Sequence, residues 1–244
     1  MSLTAKLLLS PVLVAQAVAT RRRLPRLPEA EGERSGHAGC GGPMLRLLIV
    51  GDSSAAGVGV ARQKDALSGQ LGRALAALCG ARVQWQLLAR SGLTSAQCLQ
   101  MLEREAPQAA DVAVVVLGVN DVVDQVPTQR ALHARESIAN RLRNGLGVAH
   151  VVFAPLPPVG QFPGLPQPLR WVAGADARRH DRAVAAWAAT REDVSHVPIE
   201  LPLNRGVMAG DGFHPGEPVY RICALALAAH IATAVWPRLA PRSR

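Results

Sequence analysis

The sequence predicts a single three-layer α/β/α domain built on a short parallel sheet. Two patterns carry this expectation. Apolar runs of strand length alternate with helical patterns along the chain, and no internal repeat interrupts them. Composition agrees. A chain of 244 residues, 49% hydrophobic, can bury one sizeable core, while 22 Gly and 18 Pro fall short of a low-complexity chain.

Taken in order, residues 1–43 are expected to form an apolar N-terminal segment and a Pro/Gly/charged linker. The domain is expected over 44–236, with a basic tail over 237–244. Between Lys6 and Arg21 lie only uncharged residues, LLLSPVLVAQAVAT. As a helix this run would reach about 21 Å, short of the ~30 Å hydrocarbon core of a bilayer. Three readings stay open: a signal peptide cut after Ala17-Val18-Ala19, a peripheral or signal anchor, or a helix packed on the domain. Arg21, Arg22 and Arg23 follow directly and argue against export, because positive flanks stay on the cytoplasmic side. The favoured expectation is a cytoplasmic protein with peripheral contact to the inner membrane face through residues 1–26. Export through a signal peptide is the alternative. Residues 24–43 show Pro, Gly and charge without periodicity, as a linker does.

The domain opens at Leu45–Val50, an apolar run bounded by Gly51, as a buried parallel strand should be. Helical spacing follows over 64–79 through Leu67, Leu71, Leu75 and Leu78, and Gly80 supplies the stop. Arg82–Ala89 reads as strand and Thr94–Glu105 as helix with Thr94 as N-cap. Asp111–Leu117, with its VAVVV core, is the clearest buried strand. Thr128–Leu146 is helical, and His150–Ala154 is a strand. Residues 155–168 are Pro-rich and predict a long ordered loop. Ala175–Thr190 reads as helix, Val194–Ile199 as strand and Glu217–Val235 as the closing helix.

Charge excludes less than it first suggests. The net charge is +9. Residues 1–34 hold six basic residues against three acidic ones, and residues 236–244 hold three Arg and no acid. The two ends therefore carry +6 of the +9, and the body is only mildly basic. That distribution argues against a dedicated nucleic-acid fold. Cys40, Cys79, Cys98 and Cys223 stand far apart with no C-x-x-C pair, so reduced buried thiols are expected in place of a zinc site or a disulfide framework.

Polar motifs gather where strands end. Gly51-Asp52-Ser53 follows the first strand, Ser91-Gly92 the second, and Gly118-Val119-Asn120-Asp121 the third. Asp211-Gly212-Phe213-His214 precedes the last helix. Open parallel sheets collect ligands at the carboxyl ends of their strands. A serine hydroxyl needs an adjacent base to act as nucleophile, and His214 can supply one. Asp211, three residues before it, can reach back to the imidazole and fix its tautomer.

In order and in kind, these four blocks resemble those of the SGNH (GDSL-type) hydrolases, small serine esterases and acylhydrolases. The resemblance covers about residues 45–235. It implies a flavodoxin-like SGNH hydrolase fold and a catalytic triad of Ser53, Asp211 and His214. It also implies an oxyanion hole made by the backbone N–H groups of Ser53 and Gly92 and the side-chain amide of Asn120. The implied activity is cleavage of a carboxylic ester or thioester through an acyl-serine intermediate, on a small-molecule or lipid ester. No metal, cofactor or nucleic-acid partner is expected. Alternatives are a carbohydrate acetylesterase or acyltransferase of the same fold, and, from another class, a catalytically silent binding module.

Other patterns fail. Gly57-Val58-Gly59 begins a dinucleotide fingerprint, but its third glycine would fall at Arg62. The G-x-S-x-G elbow is absent, since Ser54-Ala55 follows Ser53. In the Pro-rich loop, Phe162 and Leu165, with Trp171 just beyond, are candidates for an apolar acyl wall. The competing reading is a rigid surface loop on the sheet edge.

Overall fold

The computed structural model describes residues 3–239, with side chains from Leu9 onward. The basic tail expected over 237–244 therefore lies largely outside the described residues, Arg242 and Arg244 included.

Six strands form one sheet in the order β1-β3-β2-β4-β5-β6. They are β1 (Ser35–Ala38), β2 (Met44–Gly51), β3 (Arg82–Ala89), β4 (Val112–Val116), β5 (His150–Phe153) and β6 (Val194–His196). Strands β2 to β6 run parallel, as the apolar runs predict. Alternate residues face opposite layers. Leu45, Leu47 and Ile49 of β2 point to one side. They pack with α3 (Leu67–Cys79) and α8 (Glu217–His230) through Leu71, Leu75 and Leu227. Leu48 and Val50 point to the other. There they meet α4 (Ser95–Glu105), α6 (Thr128–Leu146) and α7 (Leu169–Ala188) through Met101, Ile138 and Val184.

Register positions the site. Gly51 lies opposite Ala89 on one neighbour and opposite Val116 on the other. Three strands thus end at one level, and each releases a polar motif there. The chain passes from β2 to β3 on one side, then to β4 on the other, so β2 sits at the topological switch point. Two short helices occupy that end: α2 (Ser53–Ala56) after β2 and α5 (Val119–Val123) after β4.

Local signals hold well. Thr94 caps α4 in a full capping box with Gln97. Gly80 ends α3 in the left-handed conformation. The last helix runs on through a π-helical stretch, Ile231–Val235. Residues Glu217–Leu239 are long and apolar enough to cross a membrane. Yet Tyr220, Ala224, Leu227 and Ile231 are buried against the sheet, so it is a core helix.

Three readings need correction. The stretch 24–43 is not a free linker, because Ser35–Ala38 pairs antiparallel with β3. Gly36 allows this edge strand to lie against Trp85, whose indole would meet a Cβ there at 2.7 Å. A small-residue edge strand lacks the apolar alternation that would reveal it. Second, α7 starts at Leu169, six residues before the expected Ala175, with Pro168 as its N-cap. Third, Cys40 is exposed, although the cysteines read as buried thiols, and Cys98 is buried; all four are free.

The N-terminal segment is helical, α1 (Leu3–Arg23), and meets the domain at α7. Its Gln16 side chain donates to Gln167 O at 2.6 Å and accepts from Leu169 N at 3.0 Å. Arg23 donates to Gly164 O at 3.0 Å.

One buried ionic network ties α4, α5 and α6 together beneath the site. Asp121 Oδ2 accepts from the Arg135 guanidinium at 2.8 Å and from Ser95 Oγ at 2.6 Å, while Oδ1 accepts from Ser95 N at 2.9 Å. Arg135 Nε donates to Ser95 Oγ at 3.0 Å. Both charged side chains are almost wholly shielded from solvent. Removing one partner of such a pair strands the other charge. The Arg135→Met variant should lose about 3–5 kcal/mol of stability, read as a lower urea midpoint. A loss within about 0.5 kcal/mol, as for an ordinary surface substitution, would show that the network contributes little.

Candidate active site

Ser53 is the first residue of α2, directly after β2. Asp52 caps that turn, its Oδ1 accepting from Ser54 N at 3.0 Å. The chain is thereby bent sharply out of the sheet, and the serine stands at the strand end.

Asp211 and His214 come from one tight loop. Asp211 Oδ1 accepts from Phe213 N and His214 N, each at 2.9 Å. Its Oδ2 lies 2.6 Å from His214 Nδ1. The same carboxylate thus shapes the turn and holds the ring, which is why a spacing of three residues works. His214 Nε2 lies 3.2 Å from Ser53 Oγ. Burial works against ionisation of Asp211, but the hydrogen bonds from His214 and Phe213 outweigh it and hold the carboxyl below its ordinary value. Asp211 therefore stays ionised beside the imidazole and favours an Nδ1–H tautomer, leaving Nε2 as an acceptor toward Ser53.

The other motifs meet here too. Gly92 and Asn120 line the same cavity as Ser53 and His214. A Cβ on Gly92 would meet no heavy atom within 4 Å, so crowding does not demand glycine; its φ of +83° does. Asn120 is the second residue of α5, and its Nδ2 donates to Leu93 O at 3.0 Å and, less closely, to Asp52 Oδ2 at 3.3 Å. Its neighbour Asp121 is pinned by Arg135 and Ser95.

Asp52 is buried, and burial pushes its carboxyl up to about 6, against the pull of the Ser54 N–H. A folded value above the unfolded one favours the neutral form. That contribution to stability is complete below about pH 4 and is lost as pH rises through about 6.

The cavity measures about 1060 Å³ and is predominantly apolar. Phe162 and Leu165 line it. Phe162 meets Phe213 edge-on at 5.2 Å, and Phe213 meets the His214 ring at 5.2 Å. Trp171 does not join this wall. It is 50% exposed on α7, while Leu169, Val172 and Ala173 of the same helix line the cavity. The early start of α7 puts Trp171 on the outer face, at a position that a loop would have left undetermined. A second cleft, of about 850 Å³ along β1 and α3, contains none of these residues. Among the described residues, no group of three His, Cys, Asp or Glu side chains is placed to hold a metal ion.

Two contributors escape the sequence. Glu29 accepts from Ser91 N at 2.7 Å and Ser91 Oγ at 2.8 Å, and it also pairs with Arg34. Burial opposes its ionisation, but these partners hold it below its ordinary range. The stretch expected to be a linker thus braces the residue next to Gly92. The second contributor is α1, whose Leu13, Ala17 and Thr20 line the cavity. Their helical spacing is visible in the sequence, but what they face is not.

Known proteins share this architecture. A lipase from a goat rumen metagenome superposes with a TM-score of 0.65 at 17% identity, over 78% of this chain and 98% of that one. A family 3 carbohydrate esterase of Clostridium thermocellum gives 0.62 at 18%, over 81% and 100%. In sequence, a GDSL-like esterase of Mycobacterium tuberculosis is 27% identical over 232 residues, 87% of this chain and 73% of that protein. The family model for GDSL-like lipases and acylhydrolases matches residues 49–222, and the chain belongs to this family of ester-hydrolysing enzymes.

Proposed function

We propose that this chain is a serine acylhydrolase cleaving a carboxylic ester (or thioester) through an acyl-serine intermediate. The observation that carries the reading is the run of contacts from Asp211 Oδ2 through the His214 ring to Ser53 Oγ, at 2.6 and 3.2 Å. In this reading His214 Nε2 takes the Ser53 proton as Oγ attacks the ester carbonyl carbon. The imidazolium that forms is stabilised by the ionised Asp211. The carbonyl oxygen, now an anion, is met by the N–H groups of Ser53 and Gly92 and by the Asn120 amide. One Asn120 N–H is committed to Leu93 O; the other, on its long bond to Asp52, is the one that turns to the oxyanion. His214 then protonates the leaving alcohol (or thiol), and water repeats the sequence to free the acid.

The apolar lining through Phe162, Leu165 and Val172 favours a hydrocarbon acyl chain over a sugar ring. A lipid-like ester is therefore the preferred substrate class, ahead of a carbohydrate acetyl ester.

The Ser53→Ala variant should lose turnover and labelling by a fluorophosphonate probe while keeping its circular dichroism. Residual turnover at the wild-type rate would remove Ser53 as nucleophile. Asn120→Ala should lower kcat by about 10²–10³-fold, the usual cost of one oxyanion donor. An unchanged kcat would take Asn120 out of the hole. Acid should suppress the rate, because a protonated imidazole at His214 cannot accept the Ser53 proton. A rate indifferent to acid would exclude His214 as the base.

A further inference from the structure

The helix α1 forms one wall of the cavity that holds Ser53 and His214, through Leu13, Val14, Ala17 and Thr20. Its attachment is slight. Of the α1 residues with described side chains, Thr20 alone is buried. The bonds of Gln16 and Arg23 to the Gly164–Leu169 segment hold it in place. Its opposite face carries Val12, Ala15 and Ala19, all exposed. Val14, at the cavity mouth, is 62% exposed. Ahead of its arginines this helix exposes apolar groups on its outer face as well as on its cavity side, and exposed apolar surface calls for cover. The cavity face has the domain; among the described residues, the exposed Val12, Ala15 and Ala19 of the outer face are not buried by any other element.

The surroundings indicate what covers it. Trp171 stands exposed two residues from the Leu169 N–H that binds Gln16, and Val123 is exposed at the cavity rim. Arg21, Arg22 and Arg23 end the helix and Arg26 follows, all exposed, with no acidic residue in α1. An apolar platform edged by guanidinium groups complements an anionic lipid interface: acyl chains receive the apolar groups, and lipid phosphates receive the arginines. Because the domain binds α1 at Gln16, mid-helix, and again at Arg23, the helix lies along the protein surface and does not stand away from it.

We propose that α1 seats the enzyme flat on an anionic bilayer, with the mouth of the acyl cavity turned toward the lipid, so that ester substrates enter from the membrane. The entry route rests on the acylhydrolase reading; the docking does not. The test uses the full chain and sedimentation with vesicles of phosphatidylcholine alone or mixed with phosphatidylglycerol. Wild type should bind the anionic vesicles, and high salt should release it. Val12→Glu combined with Arg22→Glu alters only the outer face, since neither residue lines the cavity. That variant should bind the anionic vesicles at least tenfold more weakly. It should still turn over a soluble short-chain p-nitrophenyl ester at the wild-type rate, yet lose activity on esters carried in those vesicles. Binding measured also with Ser53→Ala protein separates failure of docking from failure of the ester chemistry. Failure to sediment, equal binding to neutral vesicles, binding that survives high salt, or loss of α1 by cleavage from the mature protein would each overturn the proposal.

Discussion

The register of three neighbouring strands is the constraint on which the site depends. Gly51 faces Ala89 and Val116 across two parallel ladders. Parallel pairing at that level makes β2, β3 and β4 end together, and each then turns out of the sheet. Ser53, Gly92 and Asn120 are distant in sequence, yet they leave the sheet at one end for this reason. A shift of one residue in the pairing would turn a strand's side chains to the opposite face. The alternating burial of Leu47, Leu48, Ile49 and Val50 into two different cores opposes such a shift.

Ends of strands are loops, and loops must be braced to hold catalytic geometry. Here the braces are carboxylates bonded to the chain, two of them buried. Asp121 with Arg135 and Ser95 locks the turn after β4 to the start of α4, which follows Gly92. Glu29 grips Ser91 from the other direction. Asp211 shapes its own loop and aims His214. Each carboxylate spends its lone pairs on N–H or O–H groups of the chain, which is what makes the burial of Asp121 and Asp211 tolerable.

Much of this was legible in the sequence. The parallel strands could be read because buried strands such as VAVVV are continuous apolar runs. The blocks around Ser53, Gly92, Asn120 and His214 could be read because their chemistry depends on residue type and order along the chain. What stayed hidden depends on tertiary contact. The strand at Ser35–Ala38 has no apolar pattern and exists because it meets β3 and Trp85. The side that Trp171 takes follows from where α7 begins, and three prolines ahead of it blurred that boundary. Arg135 shows no motif at all; its role appears only when α6 is laid beside Asp121. Helical spacing in α1 was readable, but not the cavity it closes.

The edge strand has one more effect. Without it, the eight-residue β3 would stand at the rim of the sheet with its N–H and C=O groups open to another chain. Covered by β1, that rim ends in a strand of four residues, and the opposite rim ends in β6, a strand of three. Rims this short offer little ladder for a stray strand to join. A segment of Ser, Gly, His and Ala, too plain to announce itself, thus guards the sheet against growing by self-association.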